Sequence, residues 1–156
     1  MEATLVKWMG PEDANHGGFV HGGVVMRLCD EAAGLASFRH ARTSCVTAGI
    51  DRMTFESRVD VGQLLTLHAR VNAAWRSSME VGVRVLAEDV RTGEVRHTSS
   101  AYLTMVAIDD TGRPQLVPAL PETGDDDARR RAVEAELRRA NRLAERDEIE
   151  AGRQAG

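Results

Sequence analysis

NHGGFVHGGVVMRLCDEAAG, residues 15–34, holds four glycines and two histidines in its first nine positions, then becomes an apolar run broken by Asp30 and Glu31. The glycines and the GPEDA before them favour turns: glycine admits positive φ, proline fixes φ, and Asp and Asn bond to nearby backbone. From Gly22 to about His40 the pattern becomes helical. At the helical angle of about 100° per residue, Val25, Leu28, Cys29, Ala32, Leu35 and Ala36 fall on one arc, as a buried helix face requires. Asp30 lies just beyond the edge of that arc, flanked by Met26, Ala33 and Ser37. A carboxylate there is neither in mid-core nor on the opposite, solvated face.

Outward from this helix the pattern is one of strands. ATLVKWM, residues 3–9, is a short strand candidate upstream. Downstream, residues 45–55 form an irregular strand pattern. Residues 65–75 alternate cleanly, with Leu65, Leu67, Ala69, Val71, Ala73 and Trp75 on one face and Thr66, His68, Arg70 and Asn72 on the other. Residues 79–87 alternate through Val81, Val83 and Val85, and residues 98–108 through Ala101, Leu103, Met105 and Ala107. Arg76-Ser77-Ser78 makes a tight connection and Asp89 to Gly93 a longer one, so the last three strands form an antiparallel meander. One long helix with one-faced antiparallel strands predicts an α+β fold, the helix packed on the sheet.

Beyond the turn at Asp109 to Gly112 comes PQLVPALPETG, a proline-containing stretch that disfavours helix. A charged helix candidate follows, with acids at its start and Gly152 near its end, each where a helix terminus favours it. Within it Val133, Leu137, Ala140 and Ala144 form a thin apolar stripe. Either a solvated tail or a surface packed on a neighbouring subunit accounts for it. The expected organisation is a main domain over residues 1–118, a linker over 119–124 and a charged helical tail over 125–156.

A chain of 156 residues can bury about two-thirds of its unfolded surface in one core. Two cysteines, Cys29 and Cys45, suit a reducing compartment and buried thiols. A net charge of −4 leaves no basic footprint for nucleic acid. No window approaches the roughly 18 apolar residues of a membrane span, and the start MEATLVKWMG has no basic, then apolar, leader. A cytoplasmic protein is expected, with small molecules or copies of itself as partners.

His16 and His21 lie five apart, not on one helix face, and no third soft ligand is near, so no metal is expected. Cys29 and Ser37 have no local paired base. The glycines match neither a phosphate loop nor a dinucleotide fingerprint. What remains is a helix start of Gly22 and Gly23, whose amides point outward at the positive end of the dipole and admit a substrate closely. A carbonyl oxygen resting there would be polarised, and Asp30, two turns on, would act on water as general base or attack directly. Asp30 is equally an ordinary helix-edge carboxylate paired with Arg27 or another cation on this reading alone, and Glu31 a surface residue.

The segment ANHGGFVHGGVVMRLCDEAAGLASFRHARTSCVTAGIDRMTF resembles the hotdog-fold acyl-CoA thioesterases, in particular their cytosolic acyl-CoA hydrolase branch. The likeness continues through RSSMEVGVRVLAEDVRTGE and SSAYLTMVAID to QLVP, about residues 10–118. It implies a long central helix wrapped by a curved antiparallel sheet. It implies a homodimer with a continuous sheet, commonly a trimer of such dimers, that is a hexamer, and hydrolysis of fatty acyl-CoA to free fatty acid and CoA in fatty acid metabolism.

On that resemblance Asp30 is the catalytic carboxylate and Asn15 the active-site amide, contributed to one site by opposite subunits. Gly23, with Gly22 beside it, supplies a backbone N–H to the thioester oxygen, and Thr47 holds water or the carboxylate. Arg76, Ser77 and Ser78 lie near the CoA nucleotide, or form a plain hairpin turn. Met26, Met53 and Phe55 are candidates for an acyl channel, or core. No cofactor is implied, coenzyme A being part of the substrate. Arg58 stands where many relatives carry proline, and the tail beyond Gly124 is outside the shared core. Two other chemistries fit hotdog scaffolds: a non-catalytic acyl-CoA-binding or lipid-sensing module, and a dehydratase using His16 or His21.

Overall fold

The computed structural model describes residues 1–122 and 124–154; position 123 of the expected linker and positions 155–156 of the expected tail lie outside them. The elements run β1 (Glu2–Trp8), α1 (Gly22–Ala41), β2 (Cys45–Phe55), β3 (Leu64–Ala74), β4 (Ser78–Glu88), β5 (Val95–Ala107) and α2 (Asp126–Gln154). The strands form one antiparallel sheet in the order β1-β3-β4-β5-β2. The meander β3-β4-β5 follows from its short connections. β2, which comes straight after α1, takes the far edge.

The inner face buries Leu65, Leu67, Ala69 and Val71 of β3, Met79, Val81, Val83 and Val85 of β4, and Ala101, Leu103 and Met105 of β5. α1 lies on this face. It approaches through its smallest side chains, with Cys29, Ala32, Ala33 and Ala36 all fully buried. That approach centres the buried arc on the alanines and away from Leu35, which was expected inside and is 40% exposed. Ser37 and His40 are buried instead. Each polar group has a partner, as burial demands: Ser37 Oγ donates to the Gly34 carbonyl at 2.8 Å, and His40 Nε2 bonds the Pro118 carbonyl at 2.8 Å.

The expected alternation in β3 breaks at its end. A bulge between Val71 and Ala73 places Ala73 opposite Glu80 and Ala74 opposite Met79. One extra residue moves every later side chain to the other face. Ala73 and Trp75, expected inside, therefore belong to the outer face, and the bulge residue Asn72 is buried there with Glu80.

α2 covers that outer face. Its contacts run across the sheet: Arg138 reaches Glu80 on β4 at 2.9 and 2.7 Å, and Arg142 reaches Asp51 on β2. The Arg138 guanidinium stacks 3.7 Å over Tyr102, and that of Arg139 lies 4.8 Å over Trp75, whose indole N–H donates to Glu136 at 2.6 Å. Glu80 is fully buried, and a buried carboxylate needs a hydrogen-bonded cation. Ala135, also fully buried, lets the helix down onto the sheet. The stripe of Val133 and Leu137 is consequently turned outward, 71% and 63% exposed. Half of α2 is thus a docked helix rather than a solvated tail, and it docks through arginine and alanine rather than through the apolar stripe.

Candidate active site

The loop before α1 is tied down by Asp13. Its buried carboxylate accepts from Lys7 Nζ at 2.5 Å and from the Gly10 amide at 2.9 Å, and its carbonyl accepts from the His21 amide at 2.8 Å. The bond to Lys7, then the one to Gly10, hold the Asp13 carboxyl below the usual carboxylate range, against the opposing effect of burial. A carboxyl whose folded pKa is depressed stabilises the fold above its unfolded pKa, and that contribution is lost as pH falls through the folded value. Asp13→Asn is therefore expected to cost about 1–3 kcal/mol near neutral pH. The difference from wild type should shrink below a pH of about 4, which thermal unfolding at pH 7 and pH 3 would check.

Asn15 follows in the same loop. Its Oδ1 accepts from the Gly17 amide at 2.8 Å, and its backbone carbonyl from the Gly18 amide at 3.0 Å, with Gly18 at φ +82°, a conformation glycine adopts without strain. The Asn15 Nδ2 has no partner among the described residues. This side chain is held by its oxygen with its donor end open.

His21 is the N-cap of α1. Its Nδ1 accepts from the Gly23 amide at 2.9 Å and its carbonyl from the Val24 amide at 2.9 Å, satisfying two of the helix's orphan donors. Gly23, the residue expected to bind a substrate oxygen, thus has its N–H engaged within the chain. The Gly22 N–H has no partner among the described residues. A side chain at Gly22 would meet the Phe55 ring at 3.6 Å. The sequence signal for this cap is the place of His21 directly before two glycines that open a helix.

Asp30 sits two turns into α1 and is exposed. Thr47 Oγ1, on the third residue of β2, donates to Asp30 Oδ1 in a short bond and lies 3.5 Å from Met105 Sδ. Arg27, weighed as a partner for Asp30, pairs with Glu31 at 2.8 Å instead. That leaves Asp30 with a hydroxyl donor and, among the described residues, no cation to neutralise it. Beside it, the Cys29 thiol is pushed up to about 12 by burial and by the Asp30 charge, and a thiol that stays protonated is no nucleophile.

The structure brings Asp30 and Thr47 into contact and sets the Gly22 amide on the same helix. It does not hydrogen-bond Asn15 to Asp30. Toward the helix start the surface is apolar: Met26, one turn before Asp30, and Phe55, against Gly22, are both exposed, whereas Val46 alternates to the other face of the sheet. Met53 packs on the core. Arg76, Ser77 and Ser78 form the β3–β4 turn, where the Ser77 carbonyl accepts from the Ala107 amide and the Arg76 carbonyl from the Val117 amide, each at 2.9 Å. Ser78 is in register with Val106 and Val106 with Val46, so this turn lies at the Thr47 end of the sheet, across β5. Arg76 and Ser77 line a cavity of about 460 Å³ with Pro114, Gln115 and Leu116. Among the described residues no group of three His, Cys, Asp or Glu is placed to hold a metal ion.

Residues 17–94 match the Thioesterase superfamily. The chain is 37% identical over 131 residues to the cytosolic acyl coenzyme A thioester hydrolase of Mus musculus, an alignment covering 82% of this chain and 34% of that protein. It thus spans about a third of the length of that relative. An apo-hexameric acyl-CoA thioesterase superposes with a TM-score of 0.87 at 38% identity, over 92% of each chain. So does an acyl-CoA hydrolase of Staphylococcus aureus solved with butyryl coenzyme A, coenzyme A and coenzyme A disulfide, with a TM-score of 0.87 at 33% identity over 99% of this chain and 93% of that one. Variants of that hydrolase with an aspartate, an asparagine or a threonine replaced by alanine match as well. The long helix on an antiparallel sheet is the hotdog fold, and the chain belongs to the thioesterase superfamily.

Proposed function

We propose that this chain is an acyl-CoA thioesterase that hydrolyses fatty acyl-CoA to free fatty acid and CoA, at a site completed by a second copy of the chain. The observation that carries the reading is the exposed Asp30 carboxylate, oriented by the Thr47 hydroxyl and, among the described residues, paired with no cation, on a helix whose first amide has no partner among them. Asn15, Asp30 and Thr47 stand 15 and 17 positions apart, and the asparagine, aspartate and threonine replaced in the S. aureus variants are separated by the same intervals. That agreement supports all three as site residues.

In the proposed reaction the thioester oxygen rests on the Gly22 amide, assigned this place because the Gly23 amide serves the His21 cap. Asp30 takes a proton from water, the hydroxide adds to the carbonyl carbon, and the charge forming on oxygen is stabilised at the helix N-terminus. The C–S bond then breaks and the CoA thiolate takes up the proton. Thr47 donates to the Asp30 oxygen that does not act as base. As nucleophile, Asp30 would instead form a mixed anhydride with release of the CoA thiolate, and water attacking that anhydride at the Asp30 carbon would carry ¹⁸O from labelled water into the Asp30 carboxyl group.

β2 is an edge strand with Val46, Ile50 and Phe55 exposed along it. An uncovered apolar edge of this kind favours pairing with another chain. Pairing two copies along it would continue the sheet and bring Asn15 of one copy toward Asp30 of the other, and three such dimers would make the hexamer. The turn at Arg76, Ser77 and Ser78, at the Thr47 end of the sheet, is assigned to the CoA nucleotide. The place of action is assigned to the cytoplasm; among the described residues no helix is long and apolar enough to cross a membrane.

Release of CoA from acyl-CoAs of graded chain length tests the reaction, and binding without turnover would replace it by an acyl-CoA-binding module. The shared site has its own test in mixing inactive Asn15→Ala with inactive Asp30→Ala under subunit exchange. Statistical mixing in a two-fold dimer should restore about a quarter of wild-type activity. No recovery with exchange demonstrated would place Asn15 and Asp30 in one chain's site.

A further inference from the structure

The outer face of the sheet carries a cluster that the proposed reaction does not use. His97 Nδ1 bonds Glu56 Oε2 at 3.0 Å, and His97 Nε2 bonds Ser100 Oγ at 2.9 Å. A carboxylate only accepts, so in the neutral imidazole Nδ1 carries the proton and Nε2 accepts from the Ser100 hydroxyl. Hydroxyl, base and orienting carboxylate thus stand in the order, and at the distances, that an activated serine requires. We infer that Ser100, His97 and Glu56 form a second catalytic centre, which hydrolyses a small carboxylic ester bearing an anionic group.

A local departure from regular structure brings the three together. Residues three apart on a regular strand point to opposite faces. In β5 the register with β4 passes from Ser99 opposite Val85 to His97 opposite Leu86, so Thr98 is an extra residue. That bulge turns His97 to the face of Ser100, and re-aiming a side chain is a recurrent use of bulges beside active sites. The Thr98 carbonyl also accepts from the Glu56 and Ser57 amides at 2.8 and 3.3 Å, which ties the end of β2 to the bulge and sets Glu56 beside His97.

Ser100 opens on a cavity of about 470 Å³ between the sheet and the first turns of α2. Four arginines and two carboxylates line it, a balance that draws anions. Arg84 lies directly opposite Ser100 on β4, a cross-strand distance of about 5 Å, and has no carboxylate partner among the described residues. As Ser100 Oγ bonds the ester carbon, its proton passes to His97 Nε2 and the charge on the former carbonyl oxygen is stabilised by Arg84. The C–O bond to the alcohol breaks, and His97 returns the proton to that leaving oxygen. Water then gives a proton to His97 and adds its oxygen to the acyl carbon. The bond to Ser100 Oγ breaks, and that oxygen recovers the proton. This centre lies on the face opposite Asp30 and does not depend on the hydrolase reading.

The test uses the full chain carrying Asp30→Ala, so that the carboxylate site is silent and the two readings fail separately. An alkyl fluorophosphonate should phosphonylate Ser100 with loss of fluoride, read by intact mass and peptide mapping; no label on Ser100 overturns the centre. His97→Gln should slow labelling by about 10²-fold or more with the unfolding midpoint little changed, and an unchanged rate overturns His97 as the base. Glu56 is a positioning residue, so Glu56→Gln should also slow labelling and Glu56→Asp should recover part of the rate. Equal rates in those two variants overturn that role. Hydrolysis of 4-acetoxybenzoate should exceed that of the neutral 4-acetoxybenzamide by about 10-fold or more in kcat/KM, and should be lost in Ser100→Ala. Equal values for the two esters overturn the anionic class, and turnover that survives Ser100→Ala overturns the centre.

Discussion

Asp30→Ala is expected to lower acyl-CoA hydrolysis by about 10²–10⁴-fold, the usual contribution of a positioned general base. The loss should fall on kcat with KM little changed, because the carboxylate acts on the water and not on the bound CoA. Stability should move by no more than about 0.5 kcal/mol, since Asp30 is exposed at a helix edge and water can satisfy the freed Thr47 hydroxyl. Thr47→Val should reduce the rate by a smaller factor, because it removes the group that orients Asp30 and leaves the base in place. Full activity in purified Asp30→Ala would mean that another group activates the water. Glu31 is no substitute: it is engaged with Arg27 on the solvated side of the helix.

The second large effect is on the fold. Arg138→Ala leaves the Glu80 carboxylate buried with Asn72 as its one remaining donor among the described residues, and breaking a buried pair in this way costs about 3–5 kcal/mol. The expected result is a marked fall in the unfolding midpoint and early proteolytic release of α2. Replacing both partners, Glu80→Leu with Arg138→Leu, removes the stranded charge and should recover much of the loss, because a buried ion pair exchanged for apolar packing is often near neutral. Equal damage from the single and double changes would mean that Arg138 acts through its stacking on Tyr102 and not through Glu80.

Much of this was legible in the order of residue types. The helix at 22–41, the bounds of β2 and the β3-β4-β5 meander follow from periodicity and turn residues, which are local properties of the chain. Asp30 was legible as a carboxylate at the margin of a buried arc. Which neighbour it takes was not: Arg27 was the nearer choice in sequence, and Thr47, 17 positions on, is the partner in space. The bulge at Asn72 leaves no mark in a clean alternation of apolar residues, so the alternation alone puts Ala73 and Trp75 on the inner face, opposite to where they lie.

By itself, then, the sequence determined the elements, the fold class and the short set of residues able to do chemistry, because period and turn propensity act over a few neighbouring positions. The tertiary structure decided what those residues face. It gave the Gly23 amide to His21 and left Gly22 open, since that depends on a side-chain rotamer at the cap. It also turned the arginines of α2 inward and the valine–leucine stripe outward, because a buried Glu80 on a distant strand requires a cation more than the sheet requires another apolar contact.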